Sequence, residues 1–278
     1  MKIIFLDADG TLLHHSGIIP ESAVKAIKMA KEKGHKICLC TGRQHCELYG
    51  DLLNIDFDGI ITGSGNGVYI NNNLLHESYF DLKSIQRLVH FFKENRIPVL
   101  CETDHKIYGN QEAYDYILNL KKIHCDSLSL EEQKKHGVMI IYKNLNVCDY
   151  DTLLKKKINK VTFFDSNLTY NQIKEELQNE FDLVPSTFAL LGKESGEISQ
   201  KGITKGTGMK YLMDHYHMSR KDVLSIGDSY NDLPMFEESN ICIAMGNADE
   251  YIKSVCDYTT TPILEDGIYH AFLHFNLI

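Results

Sequence analysis

The chain has 278 residues, 43% hydrophobic and 24% charged, a balance that excludes disordered and fibrous classes. Its formal charge of −9 argues against a dedicated nucleic-acid binder, whose footprint is basic. It leaves room for an anionic small molecule, because a local cation or metal can reverse the field at one site.

Ile3 to Leu6 is a short apolar run that suits a strand buried on both faces. Asp7 and Asp9 break it at once, so it is too short for a signal peptide. No stretch approaches the roughly 18 apolar residues of a membrane span, and a cytoplasmic protein without a membrane partner is expected. Pro20 to Lys33 reads as a helix, with Val24, Ile27 and Ala30 at helical spacing and Gly34 just past its end. Lys36 to Cys40 is a second strand whose Cys38 and Cys40 share one side. A helix is predicted over residues 44–53 and a third strand over Gly59 to Thr62. This alternation predicts a parallel sheet with helices on both faces. The eight cysteines contain no CxxC pair and fit no zinc spacing, so they read as reduced core thiols.

The middle of the chain reads differently. Helices are predicted over Leu82–Asn95 and Tyr170–Asn179, with strand-like runs at Val99–Glu102, Val138–Tyr142, Val161–Phe164 and Phe188–Leu191. The first rhythm then returns: helix Thr207–His217, strand Asp222–Ile226, helix Leu233–Glu238, strand Ile241–Ala244, helix Asp249–Val255. The parse is an α/β protein with a Rossmann-like, doubly wound parallel-sheet core over 1–81 and 192–278, carrying an α+β insert over 82–191. Gly192, Gly196 and Gly202 on one side and Phe80-Asp81-Leu82 on the other read as hinge connections.

Polar residues collect at strand ends. Asp7 and Asp9 follow the first strand, where open α/β sheets bind ligands; an Asx-turn or a helix cap is the plain alternative. Asp228 and Asp232 follow the strand ending at Ile226, and Asp232 could simply cap the next helix. Four acids from two strand ends repel unless a cation sits among them, and Mg²⁺ suits such hard oxygen donors. Thr41 and Gly42 can bind phosphate oxygens through a hydroxyl and an N–H. Lys205-Gly206 opens a helix, an unfavourable place for a cation unless it meets an anion; Lys201 is a nearby rival.

Taken in order, Asp7-Ala8-Asp9-Gly10-Thr11-Leu12, Thr41-Gly42-Arg43, Lys205-Gly206 and Gly227-Asp228 with Asn231-Asp232 resemble the haloacid dehalogenase superfamily of phosphohydrolases. The insert between the second and third motifs marks the type with a large C2 cap. Asn66-Gly67, Asn231-Asp232-Leu233-Pro234-Met235 and Met245-Gly246-Asn247-Ala248 are similar to the Cof-type group, subfamily IIB. The resemblance implies that Asp7 forms an aspartyl phosphate and that Asp9 is the general acid and base. It implies that Asp7, the Asp9 carbonyl and Asp228 hold Mg²⁺, with Asp232 orienting the metal shell from outside. Thr41, Lys205, Asn231 and backbone N–H groups near Gly10 and Gly42 would bind the phosphoryl oxygens. The cap would close over the site and select a small phosphoester. A phosphomutase on the same scaffold is the nearest alternative reading, and a silent phosphometabolite-binding protein is a further one.

Overall fold

The fold is seen in a computed structural model that describes residues 1–186 and 188–278, with the backbone alone at 134 and 135. The alternation along Ile3–Leu6 sets the core of its first part: Ile4 and Leu6 enter one apolar cluster, Ile3 and Phe5 another. Ile37 and Leu39 join the first cluster, Cys38 and Cys40 the second, so the two thiols do share a side. All eight cysteines are free.

The chain forms two compact units, one of Met1–Arg43, Leu48–Glu77 and Thr204–Ile278, the other of Gln44–Glu47 and Ser78–Ile203. In the first unit the sheet runs, edge to edge, Tyr258–Thr259, Ile241–Ala244, Val223–Gly227, Ile3–Leu6, Lys36–Cys40, Gly59–Thr62, Gly67–Ile70, Asn73–Glu77. All pairs up to Gly59–Thr62 are parallel, which gives the α/β, Rossmann-like core. The last two strands are an antiparallel hairpin that the sequence reading missed. Asn71 and Asn72 turn it with φ of 48° and 61°, and an Asn-Asn pair between apolar runs was the available signal. The strand order reverses between Ile3–Leu6 and Val223–Gly227, the switch point where such sheets bind ligands. Asp7 and Asp228 leave the sheet on either side of it.

Helix Glu21–Glu32 buries Ala23, Ala26, Ile27 and Ala30; Val24 is 43% exposed and lies off the buried stripe. The helix predicted over 44–53 is instead two short 3₁₀ turns, His45–Glu47 and Gly50–Asn54, separated by extended Tyr49. The Gln44 and Cys46 N–H groups donate to the Glu47 carboxylate at 2.8 Å and the Asp104 carbonyl at 3.1 Å, so they are spent outside any α-helical ladder.

Helix Lys205–His215 starts two residues before the predicted Thr207. Thr204 caps it, accepting from Thr207 N–H at 3.3 Å while its own N–H donates to the Thr207 hydroxyl at 2.9 Å. A Cβ on Gly206 would stand 2.4 Å from the Pro234 carbonyl oxygen, so Gly206 lets this helix approach Leu233–Glu237. Gly206→Ala is expected to cost about 1–3 kcal/mol by overpacking, read as a fall in melting temperature of roughly 2–4 °C per kcal/mol. An unchanged melting temperature would show that the helices slide apart freely.

In the second unit a sheet of order Phe181–Pro185, Gly196–Gln200, Lys160–Phe163, Val99–Glu102, Ile107–Gly109, Leu145–Val147 is antiparallel except at its last pair. Helices Leu82–Asn95 and Tyr170–Leu177 pack on it through Leu88, Phe92, Ile173 and Leu177. Gln111–His124, a helix absent from the sequence reading, adds Ala113, Ile117 and Leu120 to a further cluster.

Three expectations fail here. Val138–Tyr142 is not a strand but part of helix Gly137–Asn144, with Val138 and Met139 buried beside Ile117 and Leu120; a short apolar run does not distinguish the two. Ala189–Leu191 is a 3₁₀ turn, not a strand. Gly196 lies inside a strand, paired with both Phe163 and Pro185, and cannot serve as a hinge. Among the described residues no helix is long and apolar enough to cross a membrane.

Candidate active site

Asp7 leaves its strand with its N–H donating to the Ile226 carbonyl at 3.0 Å, which ties the first acid to the second strand end. The side chain is buried, 5% exposed. Lys205, at the first position of its helix, is fully buried and donates to Asp7 Oδ1 at 2.5 Å and to Asp232 Oδ1 at 2.6 Å. Asn231 Oδ1 lies 3.4 Å from the same ammonium. Lys201 belongs to the second unit and donates there to the Gln178 and Asn179 carbonyls at 2.9 and 3.2 Å. Of the two rival lysines, Lys205 is the one at the acid cluster.

One carboxylate oxygen each from Asp7, Asp228 and Asp232 lies within 4.8 Å of the others. Asp232 does not cap the helix that follows it, because its side chain makes no cap hydrogen bond there. Its Oδ2 accepts from the N–H groups of Asp228 at 2.9 Å and Ser229 at 3.0 Å, closing the loop that presents Asp228. With Lys205 on its other oxygen, Asp232 is engaged at both ends. Asp228 accepts from the Thr11 hydroxyl at 3.3 Å.

Three acids share one ammonium, and the electrostatics record the shortfall. Burial, then repulsion from Asp232, pushes the Asp7 carboxyl well above its ordinary range despite Lys205. Burial and Asp232 push Asp228 up to about 7. Burial alone would push the Lys205 ammonium down; Asp232 and Asp7 together outweigh it and hold it above the ordinary lysine range. Uncompensated negative charge on hard oxygen donors fits a divalent cation. The cluster can hold a metal, with Asp7 and Asp228 better placed to give it an oxygen than the doubly engaged Asp232.

The first loop is fastened around this cluster. Gly10 has φ of 85°, and a Cβ there would stand 2.2 Å from Asp228 Oδ2, so only glycine lets the turn pass the acid. Its N–H donates to the Leu13 carbonyl at 2.9 Å. Gly10 therefore shapes the loop beside Asp228. Asn247 donates to the Gly10 carbonyl at 2.8 Å and accepts from Ile263 N–H at 3.1 Å. This gives a concrete task to a residue that the sequence reading placed only in a signature.

Thr41 is buried, and its hydroxyl oxygen accepts from Arg43 N–H at 3.1 Å. A Cβ on Gly42 would lie 3.7 Å from Asn231 Nδ2, so the second motif stands against the fourth. Arg43, named in that motif without a role, grips Asp9: its Nε donates to Oδ2 at 2.7 Å and its terminal nitrogen to Oδ1 at 2.6 Å.

Known proteins resemble this chain along nearly its whole length. The profile of the haloacid dehalogenase-like hydrolases matches residues 4–272. The chain is 27% identical to a 5-amino-6-(5-phospho-D-ribitylamino)uracil phosphatase of Bacillus subtilis, over 96% of each chain. It is 27% identical to a phosphoglycolate phosphatase of Picrophilus torridus, over 100% of this chain and 93% of the other. Among solved structures, a haloacid dehalogenase subclass IIB sugar phosphatase superposes with a TM-score of 0.82 at 26% identity, over 100% of both chains. The chain belongs to the haloacid dehalogenase-like hydrolases, in the Cof-type, subclass IIB group, and is a phosphatase.

Proposed function

We propose that this phosphatase hydrolyses small phosphorylated metabolites with Mg²⁺ through an aspartyl phosphate on Asp7. The observation that carries the reading is the buried Asp7 carboxylate, gripped by Lys205 at 2.5 Å and grouped with Asp228 and Asp232. An Asp7 oxygen attacks phosphorus, a bond to phosphorus forms, and the ester P–O bond breaks. Asp9 protonates the departing alkoxide, then takes a proton from the water that attacks the phosphorylated Asp7. Thr41, Lys205, Asn231 and the Gly42 N–H steady the phosphoryl oxygens. Asp7, Asp228 and the Asp9 carbonyl would hold Mg²⁺, with Asp232 fixing the Asp228 loop. The metal, when bound, screens the two anions from each other during attack. The unit containing Ser78–Ile203 is assigned the leaving-group contacts that choose among esters such as sugar, nucleotide and cofactor phosphates. Its relatives named above act on a ribitylaminouracil phosphate and on phosphoglycolate, so the class is a small, polar phosphomonoester.

Chelation with EDTA is expected to lower phosphate release at least about 100-fold, since metal charge stabilisation is worth several kcal/mol. Added Mg²⁺ should restore it. Full turnover in chelator would remove the metal from the reading. Phosphate release that requires an added sugar bisphosphate would favour a mutase.

A further inference from the structure

Cys46, Cys148, Cys242 and Cys256 are only half-buried, and the last two stand side by side. Cys242 lies in strand Ile241–Ala244, and Cys256 directly follows helix Glu250–Val255 with an extended backbone. The parallel pairing of Ile243 with Tyr258 continues one residue back. Asp257 N–H donates to the Cys242 carbonyl at 3.0 Å, and Cys242 N–H donates to Asp257 Oδ2 at 2.8 Å. The Cys242 sulfur lies 3.3 Å from Asp257 Oδ2 and 3.7 Å from the Val255 carbonyl oxygen. It thus meets the residues on both sides of Cys256. Both cysteines pack on the apolar cluster that contains Ala244, Ala248 and Ile252, and their thiols hydrogen-bond.

The contact has a chemical consequence. A thiol that donates to a neighbouring sulfur favours the thiolate there. The Cys256 thiol holds Cys242 below the ordinary cysteine range in spite of burial. The same bond, then burial, pushes Cys256 up. In the other six cysteines burial drives the thiol up. A half-buried sulfur with thiolate character, next to a second thiol, is the arrangement of an attacking and a resolving cysteine.

We propose that Cys242 and Cys256 are a thiol–disulfide exchange site, which takes a small disulfide such as oxidised glutathione and closes a Cys242–Cys256 bridge. The Cys242 thiolate attacks one sulfur of oxidised glutathione. A Cys242–glutathione bond forms, the glutathione S–S bond breaks, and one glutathione leaves as thiolate. Cys256 then gives its proton to solvent, and its sulfur attacks the Cys242 sulfur. The protein bridge forms, the mixed disulfide breaks, and the second glutathione leaves. The protein loses two electrons and two protons, and one disulfide becomes two thiols. The bridge ties helix Glu250–Val255 to strand Ile241–Ala244 and closes the segment that contains Asn247, the residue that donates to the Gly10 carbonyl at 2.8 Å. It therefore stiffens a support of the first loop without altering a group of the acid cluster. The site stands apart from the phosphatase mechanism proposed above.

The test is mass spectrometry of the reduced full chain after incubation with oxidised glutathione under native conditions. Remaining thiols are blocked with iodoacetamide before digestion with trypsin. Lys253 lies between the two cysteines, so the bridge joins two separate peptides. Those peptides should appear linked, two hydrogens lighter, with the other six cysteines alkylated. Cys256→Ser should carry one glutathione on Cys242, and Cys242→Ser should carry none on Cys256. On the reduced native chain, iodoacetamide should label Cys242 at least about tenfold faster than Cys46 or Cys148, as thiolate character dictates. The oxidised chain should melt roughly 4–16 °C higher, the scale of a disulfide that closes a short loop. Dithiothreitol should reverse the shift, and phosphate release should survive both treatments. The linkage is mapped on the unmodified chain, so it decides the matter even if a serine variant fails to fold. If Cys242 and Cys256 both remain open to alkylation after oxidation, they are packing residues and the proposal is overturned. It is overturned equally if glutathione is found on Cys46 or Cys148 and not on Cys242.

Discussion

Asp7→Asn should stop turnover while leaving the fold in place. The amide has the shape of the carboxylate and can still accept from the Lys205 ammonium, which lies 2.5 Å from Oδ1. It lacks the nucleophilic oxygen pair, and it removes one of three grouped acids. The fall in kcat should be on the order of 10⁴ or more, as for other lost nucleophiles. Stability should hold or rise. Burial and Asp232 already press the Asp7 carboxyl toward its neutral form, so replacing it with a neutral amide removes a repulsion and costs no ionic gain of similar size. Phosphate release gives the first quantity and a thermal melt without metal gives the second. A variant within tenfold of the unmodified rate would take the nucleophile's role away from Asp7. So would a beryllofluoride adduct trapped on another residue.

The acid cluster was legible because its chemistry is local in sequence. Asp7 and Asp228 each follow a short apolar strand, and parallel pairing of Leu6 with Ile226 brings the two strand ends together. The pattern of apolar strands and polar ends contains that pairing implicitly, since a doubly wound sheet has one switch point. What was not legible depends on where particular hydrogen bonds go. The Gly10 N–H looks available in the sequence and is spent on Leu13. Asp232 looks like a helix cap and instead holds Lys205 and two loop N–H groups. Arg43 looks like motif filler, and its grip on Asp9 shows only once its side chain is placed.

Errors in the second unit have a different origin. Val138–Tyr142 is apolar without alternation, and its helical state is decided by Gln111–His124, against which it packs. That helix carries its own signal, Asn110 accepting from Ala113 N–H at 3.0 Å ahead of Ala113, Ile117 and Leu120. A reading that recognised this cap would have had a partner surface for Val138 and Met139. Tertiary packing, more than propensity, settles short apolar runs.

Lys205→Ala should damage both stability and activity, and Lys201→Ala should do neither. The Lys205 side chain is fully buried between Asp7 and Asp232, and removing one partner of a buried ionic group typically costs about 3–5 kcal/mol. Lys201 meets two carbonyls at an exposed position, where truncation is usually worth within about 0.5 kcal/mol. The size of the Lys205 effect should depend on pH. Without the ammonium, the buried Asp7 is pressed further toward its protonated form, beyond the upward push it already feels from burial and Asp232. A buried carboxyl whose folded-state pKa is raised is tolerated below its unfolded value and loses stability as pH rises toward the folded one. In metal-free protein the gap in melting temperature between the unmodified chain and Lys205→Ala should therefore be small in mild acid and widen toward neutral pH. Mg²⁺ should narrow it at neutral pH by supplying the missing charge. Lys205→Met separates volume from charge: it refills the space and should show the same widening. Turnover of both variants should drop more than about 100-fold, as for loss of an oriented cation at a developing anion. If the gap stays constant with pH, Lys205 contributes packing alone. If Lys201→Ala is the more damaging change, the cation of this site has been assigned to the wrong lysine.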